Sequence, residues 1–187
     1  QCFDWAGHHV GDGYTCQGNI LAGPAVVTDM ARAFESASGD LADNLLSALE
    51  AAQAAGGDRR GQQSAAMLIV QEKGGYAGYN DRLLDLRVDE HPTPIAELKR
   101  IVALHKLYFY KSKREDLIPI QGDLVREIQR ITQRAGQYRG AVTGEYDAAT
   151  REALVRLIHI DNLEEREQHD DTIDRVVLEF LRERFGA

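Results

Sequence analysis

Hydrophobic residues recur along this chain at two periods, and the periods divide it. Val26, Val27, Met30, Ala31 and Phe34 stand at helical spacing after Gly23-Pro24, and Gly39 closes the run. Asp40 is placed to cap a second helix with an apolar stripe of Leu41, Leu45, Leu46, Leu49 and Ala52, which Gly56-Gly57 terminates. Residues 65–70 are continuously apolar, as expected of a strand covered on both faces. Residues 83–89 alternate instead, with Leu84, Leu86 and Val88 on one face and Asp85, Arg87 and Asp89 on the other. Pro92 and Pro94 end that strand and open a helix carrying Ile95, Leu98, Ile101, Val102, His105 and Phe109. The glycine- and aromatic-rich first 23 residues read as loop, then a short strand near residues 14–19. The order strand, helix, helix, strand, strand, helix predicts an α+β arrangement of sheet covered by helices.

Beyond Tyr110 only the helical period remains. A charged connector, residues 111–116, leads to a stripe of Leu124, Ile128 and Ile131 closed by Gly136. Asp147 can cap a helix carrying Ala153, Leu154, Leu157 and Ile158; a last helix carries Ile173, Val176, Val177, Phe180 and Leu181. The pattern predicts two domains, residues 1–110 and a small three-helix domain over 111–187.

Composition narrows the function classes. The 187 residues are 43% hydrophobic and 28% charged, the balance of a soluble globular protein. The net charge is −8, with 9 basic against 14 acidic residues over 1–110 and 13 against 16 over the rest. Neither part offers the clustered cations that nucleic-acid binding draws on. No apolar run approaches the roughly 18 residues of a membrane span. Cys2 and Cys16 are too few for a disulfide framework, so reduced thiols and a cytoplasmic location are the expectation, with a single Cys2–Cys16 bridge left open. The chain begins at Gln1, which predicts that its true N-terminus lies upstream.

Candidate chemistry concentrates in Gly56-Gly57-Asp58-Arg59-Arg60-Gly61-Gln62-Gln63-Ser64. Glycines let backbone approach a ligand, and the forked guanidinium donors of Arg59 and Arg60 suit carboxylate or phosphate. Gln63 and Ser64 add neutral hydrogen bonds. The same loop also fits an ordinary solvated connection, and no Gly-Lys-Ser/Thr follows that would make it a Walker motif. Asp85, Arg87 and Asp89 form a plain polar surface if exposed, and a substrate-binding cluster if a second layer covers them. Gln17 and Asn19, separated by Gly18, present two amides on one strand face that suit either a developing oxyanion or a strand end. His8-His9 beside Asp12 lacks the further ligands of a metal site, so no metal and no cofactor is expected. Cys2 is followed by Phe3-Asp4-Trp5, which is not strand-like, against its being an N-terminal nucleophile.

Four blocks, CFDWAGH (2–8), QGNILAG (17–23), GGDRRGQQSAA (56–66) and NDRLLDLRVDEHP (80–92), resemble an uncharacterised microbial family, a domain of unknown function in the N-terminal-nucleophile (Ntn) hydrolase superfamily. Their order and spacing match that family's C-terminal half. The resemblance implies half of an αββα sandwich with Asp85, Arg87 and Asp89 facing inward, and a nucleophile and α-amino base lying upstream. It implies amide-bond hydrolysis of a small amide or peptide-like substrate, with Asn19 and Gln17 as oxyanion donors. Substrate binding would fall to Asp58, Arg59, Arg60, Gln63, Ser64, Asp85, Arg87 and Asp89. Unpaired sheet edges in such a half predict self-association, hence a homo-oligomer. The tail, with Gln129, Gly136-Gln137-Tyr138-Arg139-Gly140 and Thr143-Gly144-Glu145-Tyr146-Asp147-Ala148-Ala149-Thr150, is similar to peptidoglycan-binding-like domains and implies peptidoglycan as a partner; the closing Phe-Gln of that pattern is Leu157-Ile158 here. The alternative is a non-catalytic cell-wall, carbohydrate-binding or assembly module.

Overall fold

The computed structural model describes residues 5–186, so the expectations placed on Cys2 lie outside the described residues. The chain divides after Ala103 into two compact units.

The first unit opens with a hairpin. Strands β1 (Ala6–Gly11) and β2 (Tyr14–Asn19) pair antiparallel from Gly11↔Tyr14 to Ala6↔Asn19, across Asp12-Gly13. The expected loop before residue 14 is therefore a strand. Asp-Gly is a two-residue hairpin turn signal, and Gly13 takes the positive φ that such a turn requires. Hydrophobic alternation did not reveal β1, because one of its faces carries Gly7, His9 and Gly11. Helix α1 (Pro24–Ser36) packs on β2, burying Cys16, Val27 and Ala31, with Trp5, Tyr14, Leu21 and Met30 around them.

Helix α2 (Leu41–Ala54) begins on a capping box: Asp43 N–H donates to the Asp40 carboxylate at 3.0 Å and Asp40 N–H to the Asp43 carboxylate at 3.3 Å. Leu45, Leu46 and Leu49 of the expected stripe pack in the core, and Leu41 alone of its leucines turns outward. Ala42, Leu46 and Ala48 are buried, whereas Leu41, in the first turn, is exposed. Strands β3 (Ala65–Val70) and β4 (Arg82–Val88) pair antiparallel with Leu68 opposite Asp85, and the register shifts between Ile69 and Val70. Helix α3 (Pro94–Phe109) contributes Leu98 and Val102 to the core formed with Leu46, Met67, Ile69, Leu84 and Val88. Only this helix-facing side of the ladder is covered. Leu68 and Val70 are 59% and 64% exposed, and Asp85, Arg87 and Asp89 are exposed with them. The double cover expected for residues 65–70, and the inward position expected for the three charges, are corrected accordingly: helices lie on one face alone.

The second unit holds α4 (Asp123–Arg134), α5 (Ala148–Ile160) and α6 (Arg175–Phe185), the three expected helices. It is not purely helical. Leu117–Pro119 (β5) and Thr172–Asp174 (β6) form an antiparallel ladder, which moves Ile173 from the last helix into a strand. Three-residue strands are too short to show a period. Ile128, Leu157, Leu163, Ile173, Val177 and Leu181 centre the core. Buried among them, Arg166 pairs with Asp174 at 2.7 Å and donates to the carbonyls of Leu107 (2.9 Å) and Lys106 (2.8 Å). Asp174 in turn accepts from the Ser112 hydroxyl and caps α6 through Val176 N–H at 2.7 Å. Among the described residues the whole is mixed α+β: six α-helices and three two-stranded antiparallel ladders.

Candidate functional site

In the first unit, backbone pairing joins two of the segments singled out from sequence. Residues 20–22, which follow β2 after a break at Ile20 (φ +56°), run antiparallel to residues 57–59: Leu21 bridges Asp58, Arg59 N–H donates to Ile20 C=O at 2.9 Å, and Ala22 N–H to Gly57 C=O at 2.9 Å. Gly56 makes this approach possible. It sits at φ +110°, and a Cβ there would stand 2.7 Å from Ala22 Cβ. The arginine loop thus starts beside Asn19, which lies with Gln17 on the exposed face of β2, opposite Ala6 and His8.

The far end of the loop meets the end of β4. Gln63 C=O accepts from His91 N–H at 2.9 Å, and its side-chain amide donates to Glu90 at 3.0 Å. Ser64 leads into the Ala65↔Val88 pair, and Arg87 lies opposite Ala66 with its Nε 3.6 Å from Asp89. Asp85, by contrast, lies four residues back from Asp89, about 13 Å along a strand, and pairs with Arg82 at 3.3 Å.

The two loop arginines have different surroundings. Arg60 forms a fork on Asp58, with Nε–Oδ1 3.0 Å and Nη2–Oδ2 2.7 Å, and its own N–H donates to Oδ1 at 2.8 Å. These bonds hold the Asp58 carboxyl down at about 2. Both arginines are exposed; Arg60 fixes the turn through Asp58, while the backbone N–H of Arg59 pairs the loop to Ile20 beside β2. Beneath the hairpin, Tyr14 donates to Glu35 at 2.6 Å, which pushes its phenol up to about 12. Burial, with Glu35 nearby, raises the Cys16 thiol. Among the described residues no group of three His, Cys, Asp or Glu could hold a metal ion; His9 stacks on Tyr14 with centroids 6.0 Å apart. His91 accepts from Thr93 N–H at 3.1 Å in the turn before α3, and His105 packs on Phe109.

In the second unit the motif residues split into scaffold and surface. Gln129 is fully buried: its amide donates to Thr143, Thr150 and Glu145 C=O, and its carbonyl accepts from Gly144 N–H at 3.0 Å. Asp147 caps α5 by accepting from the Thr150 N–H and hydroxyl at 2.8 and 2.7 Å. These residues set the loop and carry no ligand chemistry of their own. Beside them lies an open cleft of about 690 Å³, bounded by the turn of residues 136–140 and by α5. Glu152 and Arg156 of α5 line it, and sequence reading missed both. Their i,i+4 spacing was visible, but a helix-surface pair of that kind is usually solvent decoration.

An α+β unit followed by a three-helix unit with one short ladder defines the class, and comparison with known proteins makes it particular. Residues 1–98 match the model of a family of unknown function, DUF1028, and the chain belongs to that family. Residues 108–181 match a second model, described as "Putative peptidoglycan binding domain". A crystal structure of protein SPO2555 from Silicibacter pomeroyi, which carries the DUF1028 model, is similar at 29% identity and a TM-score of 0.48. That similarity covers 55% of this chain and 42% of SPO2555, so the chain spans less than half of that relative. No curated protein matches the chain. No helix among the described residues is long and apolar enough to cross a membrane.

Proposed function

We propose that residues 1–110 are the substrate-binding half of an amide-bond hydrolase of the Ntn type, and that residues 111–187 are a module that binds peptidoglycan. The observation that carries the first part is the pairing of residues 20–22 with 57–59, which brings side-chain amides and an exposed arginine to one edge. In Ntn chemistry a nucleophile attacks the amide carbonyl, the amine leaves, and water hydrolyses the acyl-enzyme. On this reading the nucleophile and its base come from residues outside this chain. Asn19 and Gln17 donate to the oxyanion, and Arg59 takes the substrate's carboxylate. Asp58 and Arg60 act as positioning residues for that loop. Gln63, Ser64, Arg87 and Asp89 border the substrate at the far end, and Asp85 lies outermost.

In the full-length protein, Arg59→Ala is expected to lower kcat/KM on N-acyl amino acid substrates about tenfold to a hundredfold, the loss of a charge-assisted hydrogen bond. Unchanged kinetics would remove Arg59 from the site. The chain by itself is expected to show no amidase activity. For the second part, the chain should be retained on purified sacculi.

A further inference from the structure

The cleft beside residues 136–140 discriminates, by its lining, between the two chemical halves of peptidoglycan, and we infer that it takes the peptide stem and not the glycan strand. This rests on reading the second unit as peptidoglycan-binding. Pyranose rings are commonly held by packing their apolar C–H faces on exposed aromatic planes, which bury apolar area at low entropic cost. The aromatic residue of this cleft, Tyr138, offers no such plane: it is 7% exposed and its hydroxyl donates to Ala141 C=O at 3.1 Å. Its ring is part of the wall.

Charge of both signs lines the cleft instead. Arg139 is exposed on the turn. On α5, Arg156 and Glu152 are 51% and 71% exposed and stand 3.6 Å apart. Arg156 also donates to Gln137 C=O at 3.1 Å, which straps α5 to the turn and fixes one side of the cleft. A stem peptide carrying a diamino acid presents the complementary set: free carboxylates for a guanidinium fork and an ammonium for a carboxylate. A neutral or N-acetylated sugar presents no ammonium for Glu152. The volume is that of ligand clefts generally, roughly 300–1,000 Å³.

The test is calorimetric titration of the 187-residue chain with two probes, alongside retention on whole sacculi. One probe is the tetrapeptide L-Ala-γ-D-Glu-meso-diaminopimelate-D-Ala; the other is peptide-free glycan of alternating N-acetylglucosamine and N-acetylmuramic acid. The tetrapeptide is expected to bind and the bare glycan not to. Arg139→Ala should weaken tetrapeptide binding about tenfold or more. Glu152→Gln should weaken it too, yet leave unchanged the affinity for the same peptide with its side-chain amine acetylated. Binding of the bare glycan as tight as that of the peptide overturns the inference, as does Arg139→Ala without effect. Retention on sacculi with no tetrapeptide binding overturns the inference alone. Failure on sacculi as well overturns the peptidoglycan reading and the inference with it.

Discussion

Asp58 and Arg60 decide how a loop with two adjacent arginines presents them. The Arg60 guanidinium is folded back on the Asp58 carboxylate, so one member of the cationic pair holds the turn. The carboxyl, ordinarily at 3.8, is held at about 2, which gives the ion pair a definite pH signature. A depressed folded value means that the stabilisation is present above the unfolded value and is lost as pH falls through the folded one. The loop's ordering should therefore be complete above about pH 4 and fade towards pH 2. An NMR titration of the Asp58 carboxyl is expected to return towards 3.8 in Arg60→Ala, with line broadening confined to residues 57–61 at neutral pH. An Asp58 titration unchanged by Arg60→Ala would show that the fork does not persist in solution.

At the scale of elements, the second unit depends on one buried ion pair that ties a strand, a cap and the chain's return together. Arg166 and Asp174 are almost wholly shielded from water, and each completes its hydrogen bonding on backbone or hydroxyl groups. Removing one partner strands the other's charge in a low-dielectric interior. Asp174→Ala is thus expected to cost about 3–5 kcal/mol. Asp174→Asn keeps an acceptor for the Val176 N–H and should still unpair Arg166. Urea denaturation followed by the second unit's own signals would measure both. Losses under 1 kcal/mol would mean that water reaches Arg166.

For the molecule as a whole, the open side of the β3–β4 ladder matters most. Leu68 and Val70 lie on the same face as Asp85 and Arg87, in a strand pair that has, among the described residues, no further strand on either edge. Exposed leucine and valine on a sheet whose edges are unpaired favour association, even with charges between them. The chain is expected to self-associate in sedimentation velocity above micromolar concentrations, and Leu68→Lys is expected to shift it towards monomer. A monomer at all concentrations would remove the homo-oligomer expectation and weaken the half-sandwich reading with it.

Long helices and their caps were legible because 3.6-residue periodicity, Asp40, Asp147 and the glycine stops are local signals. The alternation in β4 was equally direct. Strand β1 escaped because its glycines and histidines carry little hydrophobic contrast, and β5 and β6 because three residues hold no period. The candidate site was legible only as separate pieces: two amides, one loop, one charged strand. Sequence alone determined which residue types stand at each position and which helices they form. Tertiary structure decided that residues 20–22 pair with 57–59, that Arg60 turns back on Asp58, and that residues 65–70 are covered on one side only. The physical reason is the same throughout. Periodicity and capping act within a few residues, whereas pairing, burial and charge neutralisation depend on which distant segment arrives at the same place.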